Sequence, residues 1–333
     1  MNPKEAALQK KSKGSPLDFI TNWGMLLIIA VLFIFFTFAM PGMFLTGDNM
    51  ITILRNISIT TVIAVGLTFS LTVNGMDLSI GANANFADAF ITTMFVWYGV
   101  QSMGLSILAT VVVCLSVAAV NCLLIVKLKI MDMIASLATM FIFQGVALTY
   151  TRGGAITERM MRPDGTQAPG LIPAEFKALG KAEFLIPIML IVVVFAFFFL
   201  TYTKHGRYMY AVGGNPEAAR LSGISVSKYR VLAYMFSAIF AALGGIMLAA
   251  YIGSSQVKAG DAYLMPSVAA AYIGFSVAGA GKANPFGTLA GAALVGLLDN
   301  GFIMMSVPYY AMDIVKGGVL AAALALTYAR KKN

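Results

Sequence analysis

The fold this chain predicts is all-α, a polytopic helical membrane protein with about ten transmembrane helices. Three observations predict it. Of 333 residues, 59% are hydrophobic and only 11% are charged, with mean hydropathy +0.84; a soluble domain carries roughly 25% charged residues. Apolar runs recur along the chain at close to the roughly 20 residues that a bilayer helix needs. Basic residues collect in alternate connecting segments, as the positive-inside rule requires.

Taken in order, residues 1–22 hold Lys4, Lys10, Lys11 and Lys13 and read as a cytoplasmic tail. The first apolar run, 24–40, is followed by no small-residue cleavage site and by many further runs. It reads as a retained span, not a removed signal. The next runs fall at about 57–74, 82–99, 104–126, 134–151, 184–202, 230–252, 266–280, 286–305 and 311–328. In the ninth run the glycines from Gly287 to Gly296 recur at four- and five-residue spacing, which predicts close backbone packing. With the N-terminus inside, fifteen basic residues fall on the inner side and seven on the outer, with Lys316 intramembrane. Both termini are therefore expected in the cytoplasm, flanking one transmembrane domain over 23–329, with 330–333 as a second tail. The net charge of +9 follows from this orientation and does not call for nucleic acid. Cys114 and Cys122 both lie in an apolar run and read as packing residues.

Two connecting segments are long. The outer one, 152–183, contains Pro163, Pro169, Pro173 and mixed charge, and reads equally as a docking surface or a solvated connector. The inner one, 203–229, contains a short helix with its own start and stop. Asn215 is a good N-cap, Pro216 suits the first helical position, and Glu217 sits where the helix dipole favours an anion. Gly223 can take the left-handed conformation that ends a helix. So short a helix cannot cross a bilayer and must lie outside it.

No enzyme site emerges. The nearest approach to a phosphate-binding loop is Gly281-Lys282, but Ser276 stands where the first glycine belongs and Ala283 where the hydroxyl belongs. The one histidine, His205, sits between Lys204 and Arg207 in the inner segment. Intramembrane polar residues are costly and default to pairing or functional roles. Asn74-Gly75 favours a turn, and Asp77 or Ser79 could cap the next helix, which makes this block a structural break first and a substrate contact second. Asn83, Asn85 and Asp88 begin the third run, and Asn85 and Asp88 share a face. A carboxylate and a carboxamide together suit a hydroxyl-rich ligand, or else line a polar interface between helices. Asp299-Asn300 in the ninth run is open between a pathway role and a helix–helix hydrogen bond. Asp313 and Lys316 in the last run can neutralise each other.

Four blocks carry a resemblance. They are Asn74-Gly75-Met76-Asp77-Leu78-Ser79-Ile80-Gly81, then His205-Gly206-Arg207-Tyr208 leading into Gly213-Gly214-Asn215, then Glu217-Ala218-Ala219 with Gly223, and Ala278-Gly279-Ala280-Gly281-Lys282 with Gly287-Thr288-Leu289-Ala290-Gly291-Ala292. From about residue 40 to the C-terminus the chain resembles permease subunits of bacterial ABC importers, in the ribose/galactose/xylose branch. The resemblance implies a multi-pass protein of the bacterial inner membrane that alternates access to a sugar. Gly214, Asn215, Pro216, Glu217, Ala218, Ala219, Arg220 and Gly223 would form the helix seated on an ATPase subunit. Asn74, Asp77, Asn83, Asn85, Asp88, Asp299 and Asn300 are the candidates for the translocation pathway. No cofactor is implied in this chain; ATP and Mg would be bound by the partner ATPase. The other implied partners are a second permease subunit (a copy or a paralogue), an extracytoplasmic solute-binding protein and the lipid bilayer, with no nucleic acid. The chain departs from the ribose-type pattern after Tyr263, where Leu264-Met265-Pro266 replaces acidic residues. A pentose or hexose is the expected substrate, with nucleosides or a furanosyl signal molecule as alternatives. An ion-gradient-driven transporter or channel is the rival class, and Asp88, Asp299, Asp313 and Lys316 are the residues it would use.

Overall fold

The computed structural model describes residues 16–162, 164–274, 282–308, 311, 312, 314, 317 and 318, with side chains from residue 26 onward. The described chain is helical throughout and contains no named strand. In order come α1 (Pro16–Ala39), α2 (Gly47–Thr72), α3 (Ile80–Val96), α4 (Met103–Cys122, running on as a π turn, Leu123–Lys127) and α5 (Asp132–Tyr150). Then follow α6 (Ala174–Leu179), α7 (Ala182–Tyr202), α8 (Lys204–Gly214), α9 (Pro216–Leu221) and α10 (Val226–Ile252). A 3₁₀ turn, Ala259–Tyr263, leads into α11 (Leu264–Gly274), and α12 (Pro285–Met304) follows.

Six of these are long and apolar enough to span a bilayer: α2, α4 with its π turn, α5, α7, α10 and α12. Of the other four expected crossings, α1 has a shorter apolar stretch, Leu26–Ala39, and α3 is 17 residues long. The eighth run is helical from Leu264 to Gly274, with 275–281 outside the described residues, and the tenth run lies almost wholly outside them. The Asp313–Lys316 pair falls there too.

Two helices form the centre. In α2 every residue from Ile57 to Thr72 is buried, and α10 is buried over most of its length from Ala233 to Ala250. A helix covered all round is a core helix, not a lipid-facing one. Phe69 of α2 stacks on Phe236 and Phe240 of α10, with ring centroids 4.6 and 5.5 Å apart. By contrast α4 and α7 keep large apolar side chains outward, among them Leu105, Leu108, Val112, Ile191 and Phe198. The α12 glycines are contact points, as their spacing predicts. A Cβ on Gly291 would stand 2.3 Å from the Ala270 carbonyl of α11, and one on Gly287 would stand 2.4 Å from that of Gly274.

Two interruptions organise everything polar. Between α2 and α3 the chain turns through Asn74, whose φ is +56°. The Asn74 and Gly75 amides donate back to Leu71 and Ser70, closing the helix end as a left-handed cap does. After α10 the chain enters a loop in which Gln256, Val257 and Lys258 are exposed. It doubles back beside α3. Ser255 reaches Asp88, and a Cβ on Gly260 would stand 2.2 Å from the Asn85 amide nitrogen.

The two ends of the bundle differ. One end gathers α8, α9, the α2–α3 turn, the start of α5 and the start of α10, and the 152–181 segment lies at the other, where Gly180 packs on Ala250 and Tyr251. The 27-residue α10 links them, a length of about 40 Å at 1.5 Å per residue. Gly291→Val should force α11 and α12 apart, with a loss of about 1–3 kcal/mol from overpacking. Thermal unfolding in detergent should show a lower midpoint, whereas Gly145→Ala, with nothing near its Cβ position, should not lower it.

Candidate functional site

The short helix α9 forms as its sequence dictates. Asn215 is extended (φ −154°, ψ 101°), and its side-chain oxygen accepts from the Glu217 and Ala218 amides, both at 3.0 Å. Pro216 occupies the first turn, where it has no amide to lose. At the other end Gly223 has φ +78°, a conformation that costs glycine little. The Gly223 amide donates to Arg220 and the Ile224 amide to Ala219, the double bond pattern of a Schellman end. Six residues are thus held with both ends closed.

Only one side of α9 touches the bundle. Ala219 is buried and joins the main core with Val212 and Tyr229, while Ile224 packs beside it. Glu217, Ala218, Arg220 and Leu221 are exposed, Leu221 at 79%. Arg220 Nε donates to Glu217 Oε2 at 3.1 Å, and its Nη2 pairs with Oε1. The Glu217 carboxylate pushes the Arg220 guanidinium pKa up. Thus α9 presents a carboxylate, a guanidinium and a leucine to whatever lies beyond the bundle.

α8 supports it from beneath. Thr203 caps α8 by accepting from the Gly206 amide, and His205 Nδ1 lies 3.3 Å from the Tyr229 hydroxyl. A Cβ on Gly213 would stand 2.1 Å from the Thr72 carbonyl, so α8 abuts the end of α2. Nothing in composition announced α8 as a separate helix, although the hydroxyl of Thr203 before a polar run is a start signal.

The intramembrane polar residues divide by what they do. Asp77 is a hub: Oδ1 accepts from the Ser79 amide at 2.9 Å, the Ser79 hydroxyl and Asn121 Nδ2 at 3.3 Å, and Oδ2 accepts from Ser237 at 2.7 Å. Ser79 occupies the N-cap position of α3 without a side-chain cap bond. Asn74 is exposed at the turn. Asn83 donates to the Ala238 carbonyl at 3.0 Å, and Asn300 donates to Asn49 Oδ1 at 2.9 Å across helices. Asp299 is half-buried on α12.

Asn85 and Asp88 meet the segment that doubles back. Asp88 Oδ2 accepts from Ser255 at 2.8 Å. Asn85, Ala89, Leu148, Thr151, Ser255 and Val257 are among the residues that line a small cavity of mixed polarity there. Gln144 of α5 donates to Asp261 Oδ2 at 3.0 Å. Of these groups only Asn85 and Asp88 stand out in the sequence, because Ser255, Gln256 and Lys258 look like ordinary loop residues.

The 152–181 segment is ordered by its own bonds. Lys177 Nζ pairs with Glu158 Oε1 at 2.8 Å, and the Ile172 amide donates to the same oxygen at 2.9 Å. The Lys177 ammonium holds the Glu158 carboxyl below its ordinary value. Ile156 bridges to Ser255, so this segment and the doubled-back one are tied together.

The model of a family described as "Branched-chain amino acid transport system / permease component" matches residues 49–324. The chain is 34% identical to the ribose import permease protein RbsC of Bacillus subtilis (strain 168), over 99% of both chains. It is 31% identical to the ribose import permease protein RbsC of Escherichia coli (strain K12), over 84% of this chain and 86% of that one. Identity to the xylose transport system permease protein XylH of Haemophilus influenzae is 27%, over 93% and 96%. No solved structure gives a significant match. For α9 itself, Asn215→Ala should remove both cap bonds and cost about 1 kcal/mol of local stability. Hydrogen exchange should then quicken at the Glu217 and Ala218 amides and stay unchanged in α10.

Proposed function

From the premise that this chain belongs to the branched-chain amino acid transport system / permease component family, we propose that it is the membrane subunit of an ATP-driven importer of a pentose- or hexose-like sugar. The chain is a multi-pass transport subunit and not itself an enzyme. It works in the bacterial inner membrane with both termini cytoplasmic. An extracytoplasmic solute-binding protein delivers the sugar to the end that carries 152–181. A second permease subunit, a copy or a paralogue, completes the pathway. Separate ATPase subunits bind ATP and Mg and clamp at the other end.

The observation that carries this reading is α9. A six-residue helix closed at both ends and exposed on one face transmits a push as a rigid body, because its terminal amides and carbonyls are already satisfied. Gly214 to Gly223 form the contact with the ATPase, with Ala219 seated inward and Glu217, Arg220 and Leu221 outward. The pathway runs past Asn85 and Asp88. There the non-helical backbone from Gly253 to Lys258 lies against α3 through Ser255 and lines a small cavity. Asp77, Asn83 and Asn300 are committed to holding helices together.

Glu217→Lys should abolish sugar-stimulated ATP hydrolysis in the assembled importer while leaving membrane insertion intact. Unchanged stimulation in a reconstituted assay would refute the role of α9. In the pathway, Asn85→Leu should lower uptake about tenfold, the effect of one lost polar contact worth about 1.4 kcal/mol. Radiolabelled sugar uptake into proteoliposomes measures it, with complex assembly as the control.

A further inference from the structure

α9 packs on α8 and, to a smaller extent, on the base of α10, and that base grips two other elements. Arg230 Nη2 donates to Asp132 Oδ1 at 2.8 Å, and the Tyr234 hydroxyl donates to Asp132 Oδ2 at 2.7 Å. One turn further on, Ser237 donates to Asp77. Positions 230, 234 and 237 fall on one face of a helix. Asp132 opens α5 directly after the chain leaves the π turn of α4, and Asp77 stands in the α2–α3 turn. Both Asp132 oxygens are engaged, its side chain is only 14% exposed, and Tyr234 is fully buried.

The α2–α3 turn touches this clasp directly. Gly75 lies so close that a Cβ there would stand 2.6 Å from Asp132 Oδ2 and 2.8 Å from the Tyr234 hydroxyl. No side chain separates the turn from the clasp, so a tilt of α10 that carries Arg230 and Tyr234 must also displace the turn. Charge-assisted bonds in a partly buried site hold direction better than apolar contact does. Packed interfaces with discrete arrangements shift as units and do not deform continuously.

We propose that Asp132, Arg230 and Tyr234 form the clasp through which movement of α9 reaches the α2–α3 turn, and hence the polar start of α3. They are positioning residues and touch neither nucleotide nor sugar. The proposal rests on the reading of α9 as the ATPase contact and extends it into the membrane. The clasp joins residues 98 and 102 positions apart in the chain, so it has no trace in any local motif.

The test uses the whole importer, reconstituted with its ATPase and solute-binding subunits. Asp132→Asn, Arg230→Gln and Gly75→Ala are compared for assembly, basal ATP hydrolysis, and stimulation of hydrolysis by the sugar-loaded binding protein. Gly75→Ala opens the clasp without removing a charge, and Arg230→Lys should restore part of what Arg230→Gln loses. Expected is intact assembly and basal hydrolysis with stimulation reduced roughly 5- to 150-fold, the span of ordinary coupling energies. Full stimulation in all three variants overturns the proposal. So does a loss of stimulation in strict proportion to assembly and basal hydrolysis, which would mark a purely structural role. Glu217→Lys runs alongside: if it uncouples while the clasp variants do not, α9 keeps its role and the clasp falls. If Glu217→Lys changes nothing, the reading of α9 fails and the clasp falls with it.

Discussion

Backbone that leaves helical geometry inside a bilayer has no water to satisfy its amides and carbonyls, so protein groups must do it. In this chain the turn between α2 and α3, at one end of the bundle, and the segment between α10 and α11 both bring non-helical backbone against buried groups. Each departure is met by a buried carboxylate. Asp77 serves the first, taking the Ser79 amide and three side-chain donors. Asp88 serves the second through Ser255. Leaving a buried donor or acceptor unmet costs about 1–3 kcal/mol, so the partners from α4 and α10 are drawn to these points. The relative placement of α2, α3, α4 and α10 follows from that requirement as much as from apolar packing.

The two departures differ in what surrounds them. Around Asp77 the side-chain partners come from the start of α3, from α4 and from α10. Around Asp88 the neighbours include the non-helical segment through Ser255, with a small cavity of mixed polarity beside it and the 152–181 segment tied to the same strip through Ile156 and Ser255. A gradient-driven carrier and an ATP-driven importer can both use such a site. The α9 surface favours the importer, since a gradient-driven carrier has no use for a rigid capped helix outside the membrane, and the family supports the same choice.

What was legible in the sequence was local. Asn215, Pro216 and Gly223 announce α9 because a cap is made within a few residues of itself. Gly287, Gly291 and Gly296 announce the close face of α12 by spacing alone. The long apolar runs are legible because the bilayer fixes their length. What was hidden depends on contacts between distant parts of the chain. Asn300 stands out as a polar residue in an oily run, but its partner Asn49 lies 251 positions away. The strip from Gly253 to Tyr263 reads as a surface loop and leaves Gln256, Val257 and Lys258 exposed, but the burial of Ser254, Ser255 and Gly260 depends on packing that no local signal announces. Asp132 and Arg230 read as inner-end charges obeying the positive-inside rule, and their mutual bond is invisible to that rule. The short span of α3 was missed for a related reason: Trp97 and Tyr98 extend its apolar run past the helix end at Val96.

The ion pairs Glu217–Arg220 and Asp132–Arg230, at the end of the bundle that carries α9, have opposite characters, and their positions suit those characters. Glu217 and Arg220 are 64% and 68% exposed, and an exposed pair contributes about 0–1 kcal/mol. Either member can exchange its neighbour for a group on another protein at little cost. Asp132 and Arg230 are 14% and 28% exposed, and the carboxylate is held from both sides. Separating them strands a charge away from water, and breaking a buried pair costs about 3–5 kcal/mol. A device that relays force needs a contact that forms readily at one end and a joint that does not slip at the other. α9 supplies the first and the base of α10 the second, and only the short loop from Ser222 to Ser225 lies between them. Because Gly223 and Ile224 close that loop with two bonds back onto α9, little slack remains for a push to be lost in.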